Sequence, residues 1–414
     1  MPLLTVIVFC ATIFHAQSIT YNITNSTASW QTILTNLKAG DVAVMRYGIY
    51  TTAGSGYFQL TLNGTLTKPI IIQGAPNESR PIIQCAQIGA SAQNIMNIQG
   101  SNFMVKGIAF TKGSRGIRVG PAVTTNAIFD NIYIYNTTGT AFSANDAGNE
   151  YVNITLRNSE ITNTNAMTFS ANDAGNEYVN ITLRNSEITN TNAMTNTTGE
   201  CVYLGCTNDT CRIRDSVIDH NYCHDTLGSV GGSRAGFQVK SGSYNVIIRN
   251  NVCYKVVGPC IVVYDDYDRG RNLIDGNLAI NAGTADLGIQ CTSGATITNN
   301  IVINACASIY NNAINGSISA TGIQLCGTFT IANNVFLNAT ANNLYPAVNS
   351  SLINKGANPP YQALYDYNGL ARSLATPTVG AYEYSTTNNP GCVTKNSFKC
   401  GSSTAAVPQY PLIR

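Results

Sequence analysis

Charge is scarce in this chain of 414 residues: Lys, Arg, Asp and Glu make up 11% of it and leave a formal net charge of +2. Nothing in that balance offers a basic footprint, so a nucleic-acid partner is excluded. Histidine is scarcer still, with only His220 and His224 beyond the first 18 positions. After those 18 positions no segment is long and apolar enough to cross a bilayer. No C-x-x-C pair occurs, and Cys201, Cys206 and Cys211 are spaced by five, which argues against a thiolate zinc site. Low charge with abundant Asn, Thr, Ser and Gly would suit a disordered chain, but recurrent Ile and Val pairs exclude that. Those residues favour strands, and the Asn and Gly between them favour turns.

What is present begins with an apolar run, LLTVIVFCATIF, ending in HAQS. Residues 1–18 have the h-region and small-residue cleavage site of a signal peptide, although a basic n-region is missing. A membrane anchor is the alternative, against which the shortness of the run counts. Of 13 Cys, 12 follow that segment, and an even number in an exported chain points to disulfides. Twelve N-x-[ST] sequons, at Asn22, Asn25, Asn63, Asn77, Asn136, Asn153, Asn180, Asn196, Asn208, Asn315, Asn338 and Asn349, allow glycosylation in a eukaryotic host.

Ser26 to Leu37 is the best helix candidate, with Trp30, Ile33, Leu34 and Leu37 on one face. A short helix there, within residues 19–67, would cap the open end of a solenoid. Residues 68–343 form a succession of short strands. GFQVKSGSYNVIIRNN from Gly236 returns in outline as GIQCTSGATITNN from Gly288 and GIQLCGTFTIANN from Gly322. An apolar residue is followed three positions later by Asn or Ser: Ile128/Asn131, Leu156/Ser159, Leu183/Ser186, Ile218/Asn221, Ile248/Asn251, Ile274/Asn277, Ile297/Asn300 and Ile331/Asn334. Steps of 23 to 35 residues between these members mean a repeat architecture. Parallel strands stacked ~4.8 Å apart would place each amide above the next, forming a hydrogen-bonded ladder. The expected fold is all-β, a single parallel β-helix. Phe142–Thr168 and Phe169–Thr195 are identical over 27 residues, the length of one coil. That is a real coil duplication or an error of gene assembly. Residues 344–384 lack the ladder, and 385–414 read as a tail with a Cys392–Cys400 loop.

The coils, the stretch at Gly236–Asn251 and the ending DYNGLAR…VGAYEY resemble the right-handed parallel β-helix proteins of the pectate-lyase-like superfamily. The resemblance covers about Ser26 to Tyr384. It implies a right-handed coil and, among the activities of that group, lyases, hydrolases, epimerases and proteins that only bind glycans. Similar members often carry Gly-Ile-Glu-Ile-Lys where this chain has Gly236-Phe237-Gln238-Val239-Lys240, so a calcium site held by an acid there is in doubt. Polygalacturonase-like hydrolases carry a Gly-His-Gly that is absent here, which ranks hydrolysis below elimination.

Strand alternation sends Phe237 and Val239 inward and Gln238 and Lys240 outward. Aligned coils then give an outward column of Arg118, Ser143, Ser170, Tyr203, Gln238, Val262, Gln290 and Gln324. A second column holds Asn145, Asn172, Lys240, Tyr264 and Thr292. Amides, hydroxyls and Tyr rings suit a sugar polymer, and any solvent-facing sheet is also polar. Arg118, Tyr203, Gln238, Tyr264 and Gln290 are the candidate substrate contacts. Lys240 is the candidate base for β-elimination on an acidic extracellular polysaccharide, with Arg269 or Arg271 neutralising the carboxylate. Alternatively, Lys240 is a solvated lysine or one that only pairs with a carboxylate, and the arginines pair with Asp265, Asp266 or Asp268. Those three aspartates are the candidate Ca2+ ligands, an acidic turn, or a hydrolase acid pair. His220 and His224 are turn residues or an acid/base. Stacking predicts the bridges Cys223–Cys253 and Cys291–Cys326, with Cys206–Cys211 as a third. No partner other than the polysaccharide is expected, and the protein is expected to be a monomer.

Overall fold

The computed structural model describes residues 18–52, 58–87, 93–144, 150–191, 199–227, 235–282, 288–291, 295–303, 309–311, 319–321, 325–327, 335–338, 341, 343–358 and 362–386. The residues of the expected signal peptide lie outside these, apart from Ser18, as do Asn145, Thr292, Gln324, Asn334, Cys392 and Cys400. Among the described residues no helix is long and apolar enough to cross a membrane.

The chain winds as a right-handed parallel β-helix with three faces. One coil shows the plan. Phe237–Val239 lies on the first face, Tyr244–Arg249 on the second and Val252–Tyr254 on the third. The next coil repeats it with Ile261–Val263, Asn272–Asp275 and Leu278–Ile280. The first two faces join in one 21-stranded sheet among the described residues, and the third is an 11-stranded sheet. They join because early strands such as Met96–Lys106 and Ile117–Asp130 run through both faces without a break. Nearly every pairing is parallel. Among the described residues the antiparallel strand pair is Phe336–Asn338 with Asn343–Pro346.

Inward side chains stack coil upon coil. Phe142 and Phe169 stack in register with ring centroids 5.3 Å apart, and across the core Phe129 meets Phe142 edge-on at 4.9 Å and Phe103 at 6.0 Å. The 27-residue duplication sits in register along its length, pairing Phe142 with Phe169, Leu156 with Leu183 and Glu160 with Glu187. At the N-terminal end a short helix, Trp30–Thr35, covers the first coils. It is shorter than the periodicity suggested, but its apolar face docks as expected. Trp30 meets Tyr50 at 5.6 Å and Phe58 at 5.3 Å, and Leu34 and Leu37 are buried.

The polar ladder runs inside the turn between the second and third faces. Ser159 N donates to Ser186 Oγ (3.2 Å), Ser186 N to Asn221 Oδ1 (3.0 Å) and Asn221 N to Asn251 Oδ1 (2.9 Å). Asn251 N donates to Asn277 Oδ1 and Asn277 N to Asn300 Oδ1, both at 2.9 Å. The side-chain amide of each Asn also donates to a backbone carbonyl of the preceding coil, as Asn251 does to Ile218 O. Asn131 is not a member. The register pairs Phe129 with Leu156, so Ile132 stands opposite Ser159. Asn131 instead opens a left-handed column with Asn158, Asn185, His220 and Asn250. These residues accept positive φ because their polar side chains bond locally.

Residues 343–386 fold back over the outer surface of the third face. Tyr345, Leu352, Tyr367, Val379 and Tyr382 form a second core there with Tyr222, Val252, Leu278 and Ile280. The Asp-x-x-Gly-x-x-Arg ending is its clasp. Asp366 accepts from the amides of Asn368, Leu370 and Glu383. Arg372 donates to Thr378 O, Gly380 O and Asn250 Oδ1. His220 Nε2 donates to Asp366 O at 2.6 Å, and its Nδ1 meets Asp219. Asp219 is fully buried beside Arg184 (3.1 Å) and Arg249 (3.5 Å). Burial alone would raise its carboxyl, but His220, Arg249 and Arg184 outweigh it and hold the group well below the ordinary carboxylate range.

Two expected disulfides are corrected. Cys223 pairs with Cys201 and Cys253 with Cys260, while Cys206–Cys211 is present as expected. Cys223 and Cys253 do stand in register on neighbouring strands. In-register Cβ bonds run parallel at the strand spacing, ~4.8 Å, which exceeds the ~3.8 Å Cβ separation that a bridge prefers. Each sulfur instead reaches a cysteine at the entry to a first-face strand. Cys291 and Cys326 lie on different sheets, in register with Val263 and Val302 respectively. The Cys291 thiol is buried and unbridged, and burial pushes it up to about 12.

Replacing Asn251 by Ala removes the acceptor of Asn221 N and the donor to Ile218 O. Unsatisfied buried groups cost ~1–3 kcal/mol each, so Asn251→Ala is expected to lower stability by roughly 2–4 kcal/mol, measured by chemical denaturation. Asp219 stabilises the fold above the ordinary Asp value, about 3.9, and that contribution is lost as pH falls towards its depressed folded value. Acid unfolding followed by circular dichroism should therefore set in as pH falls below about 3.9, and Asp219→Asn should flatten the acid limb.

Candidate functional site

Lys240 ends a first-face strand and starts the turn to the second face. Strand register aligns Arg118, Ser143, Ser170, Tyr203, Gln238, Val262 and Gln290 in one outward column. One coil before Lys240 stands Gly205, and one coil after stands Tyr264. A Cβ on Gly205 would lie 2.7 Å from Ser243 Oγ and 3.3 Å from Lys240 Cβ, so the lysine stem rests where a side chain would be. Lys240 is 9% exposed. Its Nζ lies 5.0 Å from the centre of the Tyr203 ring and 4.6 Å from that of Tyr264. Two such contacts contribute about 0.5–2 kcal/mol each to holding an ammonium.

Gln238 is fully buried behind this cage although it points away from the core. With its amide oriented to satisfy its neighbours, it donates to Glu200 Oε1 at 3.2 Å and accepts from Lys240 Nζ at 3.2 Å. Glu200 is itself fully buried. The chain therefore has an acid behind the lysine after all, reached through Gln238 from a different coil. Sequence reasoning missed Glu200. In frame, Val202 pairs with Phe237, so Glu200 corresponds to Ala235 and stands just before the strand. An acid at the entry to a first-face strand was the available signal.

The neighbouring turns carry the cations. Arg269 Nη2 lies 2.6 Å from Asp209 Oδ2, and its Nη1 donates to Gly242 O at 3.2 Å. Asp209 was also missed. It sits in the four-residue loop closed by Cys206–Cys211, two coils before Arg269. The pair spans the intervening coil because Gly242 stands there. A Cβ on Gly242 would lie 1.9 Å from Asp209 Oδ1 and 2.7 Å from Arg269 Nη1, and its φ is +77°. The Arg269 hydrogen bond holds the Asp209 carboxyl below its ordinary range. Arg269 thus pairs with Asp209 rather than with its neighbouring aspartates. Arg271 is exposed at the same turn.

Asp265, Asp266 and Asp268 build a turn. Asp265 Oδ1 accepts from Tyr267 N (2.8 Å) and Asp266 Oδ1 from Asp268 N (3.1 Å), while Asp266 O accepts from Arg269 N. Burial raises the Asp266 carboxyl. Among the described residues no group of three or more His, Cys, Asp or Glu is arranged to hold a metal. The Asp265 and Asp266 carboxylates are each engaged by an amide of their own turn. His220 belongs to the clasp. His224 lies on the third face, with Nε2 2.8 Å from Glu187 Oε1 and Nδ1 2.8 Å from Asp225 Oδ2. Neither histidine joins Lys240. Arg118 and Gln290 share the Gln238 column, Arg118 four coils before the Lys240 coil and Gln290 two coils after it.

No family model matches this sequence, and no curated protein does. Solved structures do match. The pectate lyase Pel9A is 15% identical over 89% of this chain and 97% of its own, with a TM-score of 0.56. A rhamnogalacturonan lyase (15% identity, 73% and 87% covered, TM-score 0.46) and an alginate lyase from Paenibacillus sp. (18%, 75% and 97%, TM-score 0.42) also match. The likeness to Pel9A is one of fold, and the chain shares the parallel β-helix with it over nearly its whole length.

Gly242→Ala should force Asp209 and Arg269 apart and place a Cβ in a left-handed turn, costing roughly 1–3 kcal/mol. Thermal unfolding should show that loss, and Arg269→Ala in the Gly242→Ala background should add little to it.

Proposed function

We propose that the protein binds an acidic polysaccharide along the first face and cleaves it by β-elimination. The observation that supports this most is the cage of Lys240: an amine on an outward column, fixed by two tyrosine rings and a buried Gln238–Glu200 pair. In the reaction Lys240 Nζ, in its neutral form, would take the C5 proton of a uronate. The electron pair left behind forms the C4–C5 double bond, and the C4–O bond breaks. The departing oxygen takes a proton from water. Tyr203 and Tyr264 would lie against sugar faces, and Gln238 would hold Nζ in place. Arg271, exposed at the neighbouring turn, is the cation offered to the carboxylate, with Arg269 beside it through its exposed edge. Three disulfides support an oxidising, extracellular setting.

A second reading has its own support. Aromatic faces favour the ammonium over the neutral amine, and an ammonium would pair with a carboxylate without taking a proton. On that reading the first face binds an acidic glycan and leaves it intact. Ultraviolet absorbance of the unsaturated product separates the two on polygalacturonate, alginate and glycosaminoglycan. Elimination predicts absorbance with wild type and its loss, by at least ~100-fold for a missing general base, with Lys240→Ala. Retained binding with no absorbance on any of the polymers supports the binding reading and sinks the lyase.

A further inference from the structure

The third face carries groups that the Lys240 site does not use. From Tyr222 onward its outer surface is covered by the C-terminal segment. Before Tyr222, Tyr133, Tyr135, Glu160, Glu187 and Thr189 are half-buried and face outward. Register sets them in rows: Tyr133, Glu160, Glu187 and Tyr222 in one, and Tyr135, Thr162, Thr189 and His224 in the other. The Tyr133 and Tyr135 rings stack at 4.6 Å, nearly parallel, with Arg80 over Tyr133. His224 packs on Tyr222 at 4.1 Å and is held between Glu187 and Asp225. Burial, and then Glu187 beside it, raise the Glu160 carboxyl.

One residue further along each strand the chain enters a left-handed turn, at Asn136, Asn163, Asn190 and Asp225. At this end of the strands lies a cavity of 330 Å³, lined by Asn136, Asn163, Asn165, Asn190, Thr138 and Leu227 among others. Its lining carries amides, hydroxyls and one exposed apolar side chain, Leu227, and no charge. Asn163 and Asn190 each stand three residues beyond Glu160 and Glu187, about 10 Å along the strand.

We propose that this open part of the third face is a second carbohydrate site, built for a neutral glycan and separate from the Lys240 site. Side-chain amides match the paired donor and acceptor character of sugar hydroxyls. The tyrosine pair and Leu227 offer apolar surface to a ring face. Half-buried carboxylates accept hydrogen bonds from hydroxyls. A uronate is excluded, because Glu160, Glu187 and Asp225 outnumber Arg80 and His224 and would repel it. A neutral chain would lie along the strands, with one sugar in the cavity and its neighbours over Glu160, Glu187 and the tyrosines.

Affinity electrophoresis and titration calorimetry with a xylan, a β-glucan, a galactomannan and polygalacturonate test this. Wild type and Lys240→Ala are expected to bind at least one neutral polymer equally. Tyr135→Ala should weaken that binding about tenfold, the equivalent of ~1.4 kcal/mol. Leu227→Arg, a change at an exposed position that fills the cavity without removing packing, should do the same with an unaltered unfolding midpoint. Polygalacturonate binding should be unchanged in both variants. The proposal is overturned if no neutral polymer binds, or if both variants bind it as wild type does. Either result leaves the Lys240 reading intact, since that rests on product absorbance.

Discussion

Every coil of this molecule lies one strand spacing, ~4.8 Å, above the last, and that single distance governs the rest. It makes each side chain a neighbour of its counterpart one coil away. Apolar counterparts profit, as the stacks of Phe142 on Phe169 and Tyr151 on Tyr178 show. Asn counterparts profit too, because an amide both donates and accepts. Like charges do not, and the structure resolves each such pair with an opposite charge. Arg157 and Arg184 are in-register copies, and each has its own carboxylate, Asp130 and Asp219. Glu160 and Glu187 are copies as well, flanked by Arg80 on one side and His224 on the other. With so few charges in the chain, a charged column of any length would have no means of compensation.

The same distance explains what could be foreseen from residues alone. Alternation and repeat spacing were enough to place Phe237 and Val239 inside, to align Arg118 through Gln290 and to identify the ladder from Ser159 to Asn300. Those features depend only on a residue and its counterpart in the next coil. The misses depend on something else. Asn131 falls one place off the ladder because the Asn-rich turn has two adjacent columns that spacing alone cannot tell apart. The Cys223 and Cys253 bridges follow from bond direction across a coil. Glu200 and Asp209 act on residues one and two coils away through Gln238 and over Gly242. Contacts of that kind are set by turn geometry, where coil length varies and the repeat no longer speaks.

Glycine has a narrow use at the candidate site. Gly205 leaves room for the Lys240 stem, Gly242 for the Asp209–Arg269 pair, and Gly236 for sulfur, since a Cβ there would meet Cys253 Sγ at 3.0 Å and Cys223 Sγ at 3.3 Å. All three border Lys240 or open its strand. The lysine is thus positioned by what its surroundings omit as much as by the rings that flank it. Three disulfides and an ion pair stiffen the same few coils, and a caged amine needs that rigidity to keep one position.

The C-terminal segment covers the third face only from Tyr222 onward, and the duplicated coil lies wholly before that point. Inserting a coil therefore lengthens the uncovered stretch and leaves the covered one unchanged. Each insertion widens the open surface by one strand spacing, across the direction in which the strands run. A solenoid of this design can change the span of its exposed surface in unit increments by gene duplication, with the first-face cage and the clasp carried along intact.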